Sequence, residues 1–390
     1  MDVSVSIDEI PSAPGLLERV LDEMNAANPV GEFRRGPSAT APHRLHIGFA
    51  GLETSNAGLH VAGAGWTGYC GAKPVPFPAS RTNNLLGPGL AAILAAAHVF
   101  YERGINRNRA ATMNALDWTE SYRDGCMPSF DRLPRAPELM FVGAGSVGTA
   151  TAYFLAESTA RFTATTIDGD TADLVNVARS PIFDAESDGL NKSLLLARWL
   201  HHRGIDITEM KDSWLGKAWL DRELGTPDLL VTAANEHGVR SLVENGYPPV
   251  QIYATTGANN QVTVVRHIPG IDPCSLCLFP EQEFVATKCA TGDADAYGQK
   301  RPDAALPFLS YLAGLMASAE ILKLAGGLST GNRHIVTLEP SLHISRIPLS
   351  HRDGCICATR SPSLHGEAVG SVIWPNPVAD RESAQSNQVD

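Results

Sequence analysis

Positive charge is scarce in this chain. Lysine and arginine number 31 against 42 acids, a net charge of −11. A surface built for nucleic acid needs the opposite balance, so that class of partner is set aside. The opening stretch, MDVSVSIDEIPSAPG, carries acids and no basic segment leading into an apolar one. It does not read as a secretory signal. Clean apolar runs of membrane length are missing too. The most apolar windows are 87–100 and 306–324, and Glu320 and Lys323 interrupt the second. Neither is expected to span a bilayer. Cysteines number seven, an odd count without secretory features. Metal or catalytic roles are therefore expected before a disulfide framework. These absences predict a soluble, cytoplasmic protein with neither nucleic acid nor membrane as partner.

What is present is a long chain with ample core. With 390 residues, 44% of them hydrophobic, two domains and a tail are expected. A short helix is predicted near 14–24. Strands follow in LHIGFAGL and GLHVAGAG, then a helix in GPGLAAILAAAHVFYERG. A connector ending in DRLPRAP places the domain boundary near Pro137. Beyond it the order is regular: strand ELMFV, a glycine loop, a helix over 149–160, strand FTATTID, a helix over 192–203, and strands DLLVTAA and VQIYATTG. QVTVVRHI reads as an antiparallel neighbour. Residues 278–305 are polar, 307–324 helical, and HIVTLEP and LHISRIPL are strands. Alternating strands and helices predict a Rossmann-like, mostly parallel sheet with helices on both faces, preceded by a smaller α/β domain. The domains expected are 1–137, 138–360 and a disordered tail over 361–390. The apolar helix at 85–100 echoes the one at 306–322, both placing small residues along an apolar face.

Chemistry begins at LMFVGAGSVGTATAYFLA. Gly143, Gly145 and Gly148 form G-x-G-x-x-G between a strand and a helix. The first permits the tight turn, the second lets phosphate approach the backbone, and the third lets helix and strand pack closely. Asp168 ends the next strand, where a carboxylate can accept ribose hydroxyls. A dinucleotide enzyme fits equally well to this point. The run IDGDTADLVNVARS then adds Asp170, Asn176 and Arg179, and Lys192 follows thirteen residues later. A triphosphate needs such a group, because negative charge must be compensated while a carboxylate attacks the α-phosphate. Arg179 can bridge phosphate oxygens, Asn176 can donate to them, and Lys192 can follow the leaving charge. A nicotinamide oxidoreductase leaves Arg179, Lys192 and the cysteine pairs unexplained.

The pattern G-x-G-x-x-G, D-x-D-x(5)-N-x-x-R and a lysine thirteen residues on resembles the ThiF/MoeB-type adenylyltransferases, which include ubiquitin-activating enzymes. The likeness runs from about 138 to 359 and looks most like a bacterial ubiquitin-activating-enzyme-like protein. It implies ATP and Mg2+, and adenylation of the C-terminal carboxylate of a ubiquitin-like or sulfur-carrier protein. Asn235 stands where the family places its magnesium-binding Asp, with Glu236 beside it. An Asn carbonyl can coordinate magnesium but brings no charge.

Cys274-Ser-Leu-Cys277 and Cys355-Ile-Cys357 can together close a tetrahedral, structural zinc site. The resembled family carries two C-x-x-C pairs here, so the second pair is one residue short. Cys289 lies in the polar stretch next to Lys288. A loop and a neighbouring cation favour a nucleophilic thiolate. The resemblance implies that it attacks the acyl-adenylate to form a thioester, with handover to a conjugating enzyme. Cys70 and Cys126 are read as bystanders. The resemblance also implies a homodimer or an internal pseudo-dimer, with residues 1–137 as a shortened, inactive adenylation half. Arg34, Arg35, Arg107 and Arg109 are its candidates for an arginine reaching the ATP. The alternatives are a sulfur-carrier or peptide adenylyltransferase without conjugation, and a nucleotide-binding scaffold without turnover.

Overall fold

A computed structural model describes residues 2–5, 15–27, 32–35, 45–47, 58–75, 84–101, 110–158, 161–211, 216–220, 224–234, 238–246, 249–257, 260–278, 306–328, 331–338, 341–359 and 374. The N-terminal part opens with β1 (Asp2–Val5), α1 (Leu16–Ala27) and β2 (Glu32–Arg35), the two strands pairing in parallel. Next come β3 (Leu45–Ile47), β4 (Leu59–Ala64), β5 (Thr67–Gly71), α2 (Leu86–Tyr101) and β6 (Ala111–Asn114). Strands β3 to β6 form a four-stranded sheet in sequence order.

The larger unit alternates as its sequence predicts. It contains β7 (Glu138–Val142), α3 (Ser146–Glu157), β8 (Thr163–Ile167), the single turn α4 (Leu174–Val177), α5 (Lys192–His202) and β9 (Asp206–Lys211). It continues with α6 (Lys217–Leu220), β10 (Leu229–Thr232), α7 (Val239–Asn245), β11 (Val250–Gly257) and β12 (Gln261–His267). It ends with α8 (Ser275–Leu278), α9 (Pro307–Ala325), β13 (Arg333–Thr337), β14 (His343–Ser345) and α10 (Ile356–Thr359). The sheet has eight strands in the order β14-β13-β12-β11-β10-β7-β8-β9. Strands β9 through β11 are parallel and the other three antiparallel. β7 and β10 are largely apolar, buried runs and β11 is buried over its first five residues, as a sheet covered on both faces requires.

Several details depart from the sequence expectation. Helix α3 begins at Ser146, three residues early, because Gly145 itself caps it. Strand β9 was not foreseen. Its DITEMK alternates exposed and half-buried positions at the sheet edge, where no apolar run is needed. The stretch after 360 contributes Trp374, which is buried and donates Nε1–H to the Asp228 carbonyl at 3.0 Å.

The small sheet repeats part of the large one. β3 is parallel to β4, β4 antiparallel to β5, and β5 antiparallel to β6, with α2 between the last two. β10, β11, β12 and β13 show the same order and sense, with α9 between β12 and β13. The echo between 85–100 and 306–322 thus has a topological counterpart. Helix α9 is apolar and long enough to cross a membrane by composition, but 94% of that stretch is buried, packed on α3, β11 and β12. It is a core helix.

A polar clasp joins the two parts. Trp118 donates Nε1–H to Glu320 Oε1 at 2.6 Å, and Lys323 Nζ donates to the same oxygen and to the Leu116 carbonyl. His334 Nε2 lies 3.4 Å from that oxygen. Arg346 donates to the Asp117 carbonyl at 3.1 Å. Burial drives the Glu320 carboxyl up, but Lys323 and His334 outweigh it and hold it below its ordinary value. Burial lowers the Lys323 ammonium. Truncating one partner strands a buried charge. Glu320→Ala is expected to lower unfolding free energy by about 3–5 kcal/mol, read by urea denaturation.

Candidate nucleotide site and cysteine cluster

The glycine loop turns at the C-terminal end of β7. Gly143 has φ +98°, and a Cβ there would stand 2.6 Å from the Ala234 nitrogen. A Cβ on Gly148 would fall 1.9 Å from the Gly143 carbonyl oxygen, so the helix closes onto the strand only without a side chain. Around Gly145 the same position meets no atom of the described residues within 4 Å. As N-cap, Gly145 offers no side chain to the first-turn N–H groups of α3. The twelve-residue helix therefore presents its positive end to open space above Gly145.

Asp168 fixes this loop. Its Oδ2 accepts from Ala144 N–H at 2.6 Å and its Oδ1 from Asp170 N–H at 2.8 Å. It is almost fully buried, and burial pushes its carboxyl up to about 6, against the pull of Lys192. Asp170 in turn holds Lys192. Lys192 Nζ donates to Asp170 Oδ2 at 3.1 Å, and its backbone N–H to the Asp170 carbonyl at 2.9 Å. The lysine side chain is only 2% exposed, so the ammonium is retained by a paired carboxylate rather than by water. Asn191 was not foreseen. It caps α5 through Leu194 N–H, and its amide donates to the Asp168 and Asp170 carbonyls. An Asn immediately before a helix was the available signal.

Asn176 and Arg179 both make local bonds. Asn176 is buried in a capping box: its Oδ1 accepts from Asp173 N–H at 3.2 Å. Arg179, half-exposed, donates Nε–H to the Val175 carbonyl at 3.2 Å, one turn back. Its neighbour Ser180 donates to Thr149 Oγ1 on α3 at 3.0 Å, which ties this segment beside the glycine loop. Asn235 and Glu236 lie outside the described residues, as do Cys289, Arg107 and Arg109. The strand leading to Asn235 passes against the loop, with Ala233 N–H donating to the Val142 carbonyl at 2.9 Å. Arg34 and Arg35 are on β2, with side chains outside the described set.

The cysteine pairs converge at the opposite end of the sheet from the loop, below β12. The sulfurs of Cys274, Cys277, Cys355 and Cys357 lie within 4.8 Å of one another. Cys274 and Cys355 are 3.5 Å apart, and Cys277 and Cys357 are 3.4 Å apart. The shorter C-x-C spacing suffices because Cys357 is carried on the single turn α10, and the Ala358 N–H closes on the Cys355 carbonyl. Arg352 N–H donates to Cys277 Sγ, and His351 Nδ1 lies 3.3 Å from Cys357 Sγ. Hydrogen bonds from Cys274, then His351 and Cys277, hold the Cys357 thiol down to about 3, while Cys274 is pushed up. Burial pushes Cys277 up to about 12. Four convergent sulfurs are a donor set able to hold a metal ion. Cys70 is buried with its thiol raised to about 12 by burial, and Cys126 is exposed.

The glycine loop, the paired carboxylates and the buried lysine define a nucleotide-binding α/β protein. The ThiF family model matches residues 126–357, more than half of the chain, and the chain belongs to the ThiF family of adenylyltransferase-type enzymes. No curated protein matches it in sequence. Among solved structures, E. coli MccB is 19% identical over 60% of this chain and 67% of that one, with a TM-score of 0.47. E. coli MccB with ATP is 18% identical over 59% and 69%, also at 0.47. Selenomethionine PaaA is 17% identical over 56% and 66%, at 0.41. These are likenesses of fold.

Proposed function

We propose that the chain adenylates the C-terminal carboxylate of a ubiquitin-like protein with a glycine tail. The observation that carries this is the linkage Gly143 loop–Asp168–Asp170–Lys192, which puts a buried cation beside an open helix N-terminus. A carboxylate oxygen attacks the α-phosphorus of ATP, the bond to the β-phosphate oxygen breaks, and pyrophosphate leaves. Lys192, with Arg179 released from the Val175 carbonyl, offsets the charge that develops. Asn176 donates to phosphate through its amide, whose oxygen is already committed to Asp173. Asn235, with Glu236, contributes the side of the site that would meet Mg2+. Cys274, Cys277, Cys355 and Cys357 would hold a structural Zn2+.

The second step is attack of the Cys289 thiolate on the acyl carbon, which expels AMP and leaves a thioester for a conjugating enzyme. Residues 1–137 serve as a shortened, inactive adenylation half against the active unit 138–360, making an internal pseudo-dimer. The shared strand order of β3–β6 and β10–β13 supports this. ATP–pyrophosphate exchange with a glycine-tailed carrier tests the first step. Cys289→Ala is expected to keep exchange and to lose a hydroxylamine-sensitive carrier adduct. Full carrier transfer by Cys289→Ala overturns the thioester and leaves the alternative, a sulfur-carrier or peptide adenylyltransferase.

A further inference from the structure

A cleft of about 370 Å3 opens between the two parts, a size within the range of specific pockets. Its walls include Leu94 and Tyr101 from α2, Glu120 beyond β6, and Leu338, Ser341 and Leu342 from the β13–β14 connection. The N-terminal unit thus supplies one wall and the ThiF unit the other.

Its position follows from the sheet. β11 runs parallel to β7, and β12 and β13 reverse in turn, so β13 ends on the same side as the glycine loop. Leu338 follows β13 directly and donates N–H to the Asn260 carbonyl at the tip of the β11–β12 hairpin. On the other wall, the Tyr101 ring lies 5.5 Å from that of Phe308, in the first turn of α9. Four strand steps separate β7 from β13. At ~4.8 Å each they span ~19 Å, which an extended peptide covers in about six residues.

The chemistry of the walls selects an occupant. Three leucines offer apolar surface for an aliphatic stem beside His98, and the exposed Glu120 offers a carboxylate. Lysine and arginine are the side chains that satisfy both, burying the stem and presenting the charge. We infer that this cleft takes a basic side chain about six residues upstream of the carboxylate that is adenylated. The N-terminal unit thereby selects the substrate through Glu120. The inference rests on the adenylation reading above.

The test uses the full chain and synthetic dodecapeptides ending in a free glycine carboxylate. They are randomised except at the sixth residue from the end, which is arginine in one pool and aspartate in the other. ATP–pyrophosphate exchange is expected to be about tenfold or more faster with the arginine pool. Glu120→Arg is expected to reverse that order, and Ser341→Trp to flatten it, with ATP binding unchanged in both. Equal rates from the two pools, or a preference that survives Glu120→Arg, overturn the cleft assignment alone. Absence of exchange with every pool and with a glycine-tailed carrier protein overturns adenylation itself.

Discussion

Lys192→Ala will lower ATP–pyrophosphate exchange by about 10²- to 10³-fold, the cost of deleting one preorganised donor to developing charge. The lysine is held on two sides. Its side chain pairs with Asp170 at 3.1 Å, and its backbone N–H bonds the Asp170 carbonyl, so the ammonium cannot drift from the loop. Its neighbour Asn191 ties the same segment to Asp168 and Asp170. Positioning is therefore already complete before nucleotide arrives, and the loss on truncation falls on the chemical step. The measurement is exchange at saturating ATP alongside ATP binding by calorimetry. The expected result is a large fall in rate with a smaller change in affinity. Equal rates in wild type and Lys192→Ala would remove this lysine from the reaction. Lys192→Arg is expected to restore little, because a planar guanidinium does not fit a space shaped for a buried, point-like ammonium.

The parts of the site visible in the sequence are those where a local backbone requirement names its residue. Gly143 needs a positive φ and Gly148 needs no Cβ, so the loop announces itself. The D-x-D spacing is similarly local, since Asp168 bonds the N–H of Asp170 two residues on. What escaped depends on partners far along the chain or on weak patterns. Trp118 meets Glu320 across 202 positions, and no periodicity links them. Edge strand β9 is polar, and among the described residues its outer side pairs with no strand. Asn176 and Arg179 have the type and spacing of phosphate ligands, and each also makes a local bond: one completes a capping box, the other returns to a carbonyl one turn back. A polar side chain on a one-turn helix has backbone groups within easy reach, and spacing alone does not tell that use from ligand binding.

Removing one sulfur from the cysteine cluster is expected to abolish zinc binding and to loosen the C-terminal end of the fold. Hydrogen bonds draw Cys357 toward thiolate, while Cys274 is pushed up, first by its bond to Cys357, and Cys277 first by burial. Cys274, Cys277, Cys355 and Cys357 would hold a divalent zinc ion as thiolates, whose charge it would offset, and structural zinc in small domains carries about 10 kcal/mol or more. Part of that energy compensates the ordering of 351–359, which contains only one helical turn. Wild type is expected to hold one zinc per chain by elemental analysis, and Cys274→Ser and Cys355→Ser none. Both variants should lose on the order of 5 kcal/mol of stability, and protease should cut first between 341 and 359. His351→Ala removes only a contact to Cys357 Sγ at 3.3 Å, so it should keep the metal while weakening its retention against chelator by about 10- to 100-fold. A wild-type protein free of zinc, with Cys355→Ser equally stable, would reduce the cluster to packed thiols.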